Sequence, residues 1–111
     1  MFHQWEEYKI GIWPHRFCKV CGAEQERELS VPSCPPPPWH PRPPACQQTD
    51  ERFGFAFCAP VKVYRTSASG RVTDRMFRFD TRHQSPASAY LVALDDGSAD
   101  WFFGRELEVG R

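Results

Sequence analysis

Long apolar runs are missing from this sequence. No stretch approaches the ~20 apolar residues of a membrane-spanning helix, and MFHQWEEYKIG at the N-terminus has no apolar run behind a basic leader, so neither a span nor a secretory signal is expected. A surplus of charge is missing too: 14 basic residues face 14 acidic ones. Chains that bind nucleic acid non-specifically usually show a clear basic excess, which lowers that expectation. Catalytic signatures are absent as well: there is no G-x-S-x-G, no phosphate-cradling glycine loop and no H-E-x-x-H. The carboxylate pairs Glu6-Glu7 and Asp95-Asp96 would point to opposite faces of a strand, and His3, His15 and His83 have no partner visible from spacing. The chain is therefore not expected to be an enzyme. Its five cysteines, an odd number, argue against a disulfide framework. With no leader, the thiols are expected to stay reduced in a cytoplasmic setting.

Three zones are present. Residues 1–31 are aromatic-rich and carry CKVCG; residues 32–48 are dominated by proline; residues 53–111 alternate apolar and polar positions between glycines. The expected organisation is a small unit over residues 1–50 and a second over residues 51–111. In the first, EYKIGIW alternates around Tyr8, Ile10 and Ile12, and HRFCKVCGAEQERELSV reads as a strand, a tight turn and a return strand. Helix competes for AEQEREL on composition, but the segment has no clear apolar stripe and leads into Val31-Pro32. The run PPPPWHPRPP excludes both helix and central strand, because proline lacks the N–H and restricts its predecessor. A polyproline frame packed by Trp39 is expected there. The run is superficially like an SH3 or WW ligand but lacks the flanking Arg of the usual SH3 pattern.

The last zone gives four or five short strands. APVKVYR places Val61 and Val63 on one face. RVTDRMFRFD is a longer strand whose apolar residues fall out of register, which predicts a bulge. TRHQSPAS reads as a loop, AYLVALDDG as a strand ending in a hairpin turn at Asp96-Gly97, and ADWFFGRELEV as a strand broken at Gly104, with Leu107 and Val109 plugging an open end. Strands and turns at this spacing predict a small barrel. From VKVYR through the glycine before RVTDRMFRF to YLVALDDG and DWFFGRELE, residues 58–110 resemble SH3-like barrels of the Tudor and KOW type. The fold class expected is mostly β: a zinc-ribbon-like hairpin plus an SH3-like barrel.

The cysteines decide what the front of the chain is for. Zinc prefers four N or S ligands in a tetrahedron. Cys18 and Cys21 have the spacing of one half of such a site, and Gly22 relaxes the backbone where the turn closes, so CKVCG resembles the first knuckle of a zinc ribbon. A regular ribbon closes with a second Cys-x2-Cys, and this chain departs from that: Cys34 and Cys46 are separated by a proline segment carrying His40. The expected tetrad is Cys18, Cys21, Cys34 and Cys46; the alternative replaces Cys46 with His40; His15 is an outside candidate; no metal is the remaining alternative. A thioredoxin-like role would need a βαβ unit, and nothing reads as one. Cys58, in the apolar run FGFAFCAP, is expected to be a buried core thiol. A structural zinc site can supply ~10 kcal/mol or more of folding free energy, which a half with so few aliphatics needs. Four protein ligands leave no open position for hydrolysis.

Function is expected to be non-catalytic binding of a protein partner. Zinc ribbons and Tudor- or KOW-like barrels recur in nucleic-acid-processing machinery, so the resemblance implies a partner there; the small size and absent catalytic motif also fit a phage-type accessory or inhibitor of a host enzyme. The alternative is direct DNA or RNA binding, with Arg71, Arg75 and Arg78 on phosphates and Trp39 or Trp101 stacked on bases. The plain reading of the arginines is a solvated strand face. Tyr64, Tyr90, Trp101 and Phe103 are the candidates for a cage around methylated side chains, though core packing is the commoner fate of such residues.

Overall fold

The structure is a computed structural model and describes residues 2–28 and 37–110. It contains two antiparallel sheets and no α-helix among the described residues. None of these residues forms a helix long and apolar enough to cross a membrane. The molecule is elongated, 54 × 28 × 20 Å.

The first sheet has three strands: β1 (Trp5–Ile10), β2 (Trp13–Cys18) and β3 (Glu24–Glu26), in that order. β1 and β2 join through a tight turn at Gly11-Ile12, which fixes the register from Ile10↔Trp13 to Trp5↔Cys18. AEQEREL contributes the short strand β3 rather than a helix, and Glu26 exchanges backbone hydrogen bonds with His40 at 2.8 and 2.9 Å. Ile10 and Ile12 are exposed, so the alternation around them does not mark a buried face.

The second sheet has five strands: β4 (Pro60–Val63), β5 (Ser69–Asp80), β6 (Ser85–Leu94), β7 (Ala99–Phe103) and β8 (Leu107–Val109), ordered β7-β6-β5-β4-β8. A 3-10 turn at Gly104–Glu106 separates the last two strands. This is the connectivity of an SH3-like barrel. The expected bulge is present: the β5–β6 register shifts between Val72 and Asp74. The expected hairpin is also present. Gly97 takes φ +92°, and the Asp96 carboxylate accepts from both the backbone and the hydroxyl of Ser98. Two expectations are corrected. The loop TRHQSPAS is only a short turn, because β6 already begins at Ser85. Leu107 and Val109 form a strand paired with β4 rather than a plug, and Val109 is exposed.

The barrel core gathers Val61, Val63, Val72, Tyr90, Val92 and Leu107 around Phe53. Tyr90 is fully buried; its hydroxyl accepts from the Gly54 N–H at 2.6 Å and lies 3.3 Å from Ser88 Oγ. That burial removes Tyr90 from any aromatic cage. On the free edge, β7 spends the N–H groups of Trp101 and Phe103 on the Asp100 and Glu106 carboxylates. An edge satisfied by its own side chains is a poor template for strand addition.

The two sheets meet where the turn after β2 lies on β5. Phe77 N–H donates to the Lys19 carbonyl at 2.8 Å, and Tyr8 packs on Phe79 with ring centroids 5.1 Å apart. Gly22, at φ +78°, sits directly on the Phe77 ring, where a Cβ would come within 2.5 Å of ring carbons.

Candidate metal centre

Three separated stretches converge at the end of the first sheet. β2 delivers Cys18 at its last residue, and the chain then turns tightly, with Gly22 N–H bonded to the Cys18 carbonyl at 2.9 Å and Cys18 N–H to the Ala23 carbonyl at 2.9 Å. This turn brings Cys21 beside Cys18. Across the sheet, β1 reaches back past Trp5, the partner of Cys18, and carries His3 over the turn. Cys46 arrives from beyond the proline segment. One donor atom from each of His3, Cys18, Cys21 and Cys46 lies within 4.8 Å of all the others. Cys18 Sγ and Cys46 Sγ are 3.6 Å apart, and Cys21 Sγ is 3.4 Å from His3 Nδ1. All three thiols are buried, and Trp5 and Val20 pack against them.

The surroundings prepare these groups for a cation. His3 Nε2 lies 2.9 Å from the Pro44 carbonyl, which can only accept, so Nε2 carries the proton. In the neutral ring Nδ1 is then a free lone pair facing the sulfurs, the arrangement in which an outer partner orients a ligating histidine. Trp5 stacks on the His3 ring at 4.8 Å and holds its plane. Burial pushes the Cys18 thiol up, but hydrogen bonds from the backbone of Cys21, Gln4 and Val20 oppose it, and the thiol is held below its ordinary range. Cys46 goes the other way: burial, and then the neighbouring Cys18 and Cys21 sulfurs, push it up. Three buried sulfurs this close repel one another as thiolates, and a cation among them removes that penalty. The cluster can hold a metal ion.

The sequence-predicted residues are distributed as follows. Cys18, Cys21 and Cys46 come together. Cys34 lies outside the described residues. His40 is not in the cluster; its backbone is engaged with Glu26 instead. His15 stacks on Tyr8 at 5.3 Å. His3 joins the thiols although spacing gave it no partner. Cys58 is exposed rather than buried, because it occupies a turn at φ +66°, with its carbonyl accepting from Arg71 Nη1 at 2.9 Å.

Of the residues expected to meet a partner, Arg75 is corrected. The bulge leaves both Thr73 and Asp74 outside and turns Arg75 inward. Its guanidinium stacks on Phe53 and Phe57 at 4.6 and 4.2 Å, and Nη1 pairs with Asp50 at 2.6 Å. Arg75 Nε is buried without a hydrogen-bond partner among the described residues. Arg71 stays exposed. Arg78 and Trp101 line a groove of about 540 Å³ between the two sheets, together with Glu6 and Lys19. Trp39 packs on the first sheet, with the Arg16 and Arg27 guanidinium groups 4.6 and 4.5 Å from its ring centroid. Comparison with protein-family models, with curated proteins and with solved structures yields no match.

Proposed function

We propose that this chain is a non-catalytic protein-binding module of the reducing cytoplasm, its first sheet stapled by a structural zinc ion held by His3, Cys18, Cys21 and Cys46. The observation that carries the reading is the convergence of four N and S donors from three stretches of chain. A tetrahedral site with Zn–S of ~2.3 Å and Zn–N of ~2.0 Å sets sulfurs ~3.8 Å apart and sulfur–nitrogen pairs ~3.5 Å apart. The separations of 3.6 Å for Cys18–Cys46 and 3.4 Å for Cys21–His3 lie close to those values. One nitrogen and three sulfurs are a donor set that zinc favours over hard, oxygen-seeking cations. With all four positions filled by protein, the ion has no open position for a substrate and acts as a fold element. Its partner would be a component of nucleic-acid-handling machinery, by analogy of fold.

Direct nucleic-acid binding through the β5 arginines has less support. Arg75 is withdrawn into the Phe53–Phe57 sandwich and Arg71 is engaged with the Cys58 carbonyl, which leaves Arg78 as the only one of the three without such a partner among the described residues.

Native mass spectrometry tests the staple. One zinc per chain is expected, retained in Cys58→Ser and lost in Cys18→Ser and in Cys46→Ser. Gel filtration of the zinc-loaded chain with single- and double-stranded DNA and RNA tests the partner class, with no co-elution expected at physiological salt. A folded chain that carries no metal overturns the staple, and co-elution with nucleic acid overturns the partner class.

A further inference from the structure

The barrel carries a second concave site that the metal reading leaves unused. It is a cavity of about 440 Å³ bounded by the β4–β5 turn, the β5–β6 turn and the 3-10 turn before β8. Its apolar wall includes Phe102, which packs against the barrel core, and Phe103. Tyr64 adds an aromatic ring that is 61% exposed. Three arginines complete the lining: Arg65, Arg82 and Arg105.

Their charges are not equally available. Both terminal nitrogens of Arg105 donate to Asp80, and its guanidinium lies 4.7 Å from the Phe103 ring centroid. Asp80 is buried and fully engaged, since it also accepts from Arg82 N–H and contacts His83. The Glu106 carboxylate accepts from the Phe103 N–H, which orients it but leaves its charge, so the lining keeps one acidic group against its three arginines. Arg65 and Arg82 are exposed and make no ion pair among the described residues. Two unneutralised guanidinium groups therefore flank an aromatic cavity in a chain of zero formal net charge.

We infer that this cavity is the docking site for an acidic peptide segment of the protein partner, one bulky apolar side chain entering between Tyr64 and Phe103 while flanking carboxylates meet Arg65 and Arg82. The inference rests on reading the chain as a protein-binding module. An aromatic or aliphatic anchor in a pocket, ringed by Arg and Tyr, is the usual composition of an interface hot spot, and guanidinium forks match carboxylates. Charge complementarity favours a short acidic ligand over a polyanionic strand. A strand needs a track of cations, and here the basic groups form a spot. The arginines that would extend it lie elsewhere: Arg75 is buried, and Arg71 and Arg78 line neither wall.

The test is fluorescence anisotropy with the full zinc-loaded chain and a labelled peptide of Asp and Glu flanking one central Phe. Binding is expected to weaken with salt and to weaken about tenfold in each of Arg65→Glu and Arg82→Glu. Tyr64→Ala, and replacement of the central Phe by Ala in the peptide, should each cost a similar factor, while Arg71→Glu and Arg78→Glu bind as the parent does. No binding of the acidic peptide, or equal loss in Arg71→Glu and Arg78→Glu, overturns the site. Oligothymidylate binding that is lost in Arg65→Glu overturns both the site and the protein-partner reading. A partner protein whose capture survives Arg65→Glu combined with Arg82→Glu overturns the site and leaves that reading standing.

Discussion

The five-stranded barrel buries Val61, Val63, Val72, Val92 and Leu107 around Tyr90 and Phe53, whereas the three-stranded sheet buries Phe17 and Ala23 beside the thiols of Cys18, Cys21 and Cys46. The first set of residues is stabilised simply by leaving water, at ~1.5–3 kcal/mol for a large aliphatic or aromatic side chain. The second is not. Its isoleucines and one of its tryptophans sit outside: Ile10, Ile12 and Trp13 are all more than half exposed. Where the barrel has a core, the first sheet has a set of donors that could hold a metal, so on the proposed function one half is held by solvent exclusion and the other by coordination.

Metal removal is the strongest way to break that contrast. Chelation, or Cys18→Ser, is expected to unfold β1–β3 and leave the barrel folded, since ~10 kcal/mol or more of apparent binding energy leaves with the ion. Hydrogen exchange followed by NMR should show β1 and β2 amides losing protection while those of β5 and β6 keep it. Loss of protection in both sheets at once would mean that they fold as one unit, and loss in neither would mean that the first sheet needs no metal.

Gly22 is where the two halves lean on each other, and Gly22→Ala should act there next most strongly. The residue stands at φ +78° with the Phe77 ring where a Cβ would be. Left-handed strain plus overpacking costs roughly 2–4 kcal/mol. Both the first sheet and the β5 contact are expected to loosen, read as a lower melting temperature and as faster exchange at the Phe77 amide, whose acceptor is the Lys19 carbonyl.

A smaller effect confined to the barrel sharpens the same comparison. Tyr90→Phe keeps the ring but deprives the Gly54 N–H of its acceptor. Gly54 is exposed, so water can take the acceptor's place and the loss is the net worth of one hydrogen bond, ~0.5–1.5 kcal/mol. The urea midpoint of the barrel should fall, with zinc content and β1–β2 protection unchanged; a loss of zinc in this variant would contradict the division of labour.

The barrel was the more legible half because its signals are local. Alternation in VKV and YLVAL, the misfit in RVTDRMF and the turn chemistry of Asp96-Gly97 each act within a few residues, and the strands follow. What the alternation did not show is which way the bulge would turn Arg75, since that depends on how one extra residue is absorbed against β6. Cys58 misled because its apolar neighbours suggested a strand, while the backbone there turns through a positive φ. In the first half, CKVCG announced a knuckle, but the cluster it belongs to is assembled by distant chain segments. His3 was recoverable in principle. A turn at Gly11-Ile12 pairs Ile10 with Trp13, and continuing that register places residue 3 opposite residue 20, inside the knuckle. Closeness in sequence to the cysteines does not single out His3, because a sheet register makes neighbours of residues far apart.

The smallest expected effect concerns acid. Burial pushes the Asp80 carboxyl up, but the His83 hydrogen bond, the Arg82 N–H and the charges of Arg105 and His83 outweigh it, so its pKa in the folded barrel lies below the ordinary 3.8. A carboxyl depressed by folding stabilises the fold fully above its unfolded pKa, and that contribution is lost as pH falls through the folded value. The barrel's melting temperature should therefore drop below about pH 4. Acid also strips metal from thiolates, which blurs the comparison of the halves if only the parent protein is followed. Asp80→Asn separates the two effects. Metal loss is common to variant and parent and cancels in their difference. The Asp80 contribution does not cancel: the gap in barrel stability should be widest near neutrality and close as the parent's own carboxyl takes up its proton. A gap that stays constant through the acid range would place the acid sensitivity in the thiolate cluster and leave the barrel without a titrating brace.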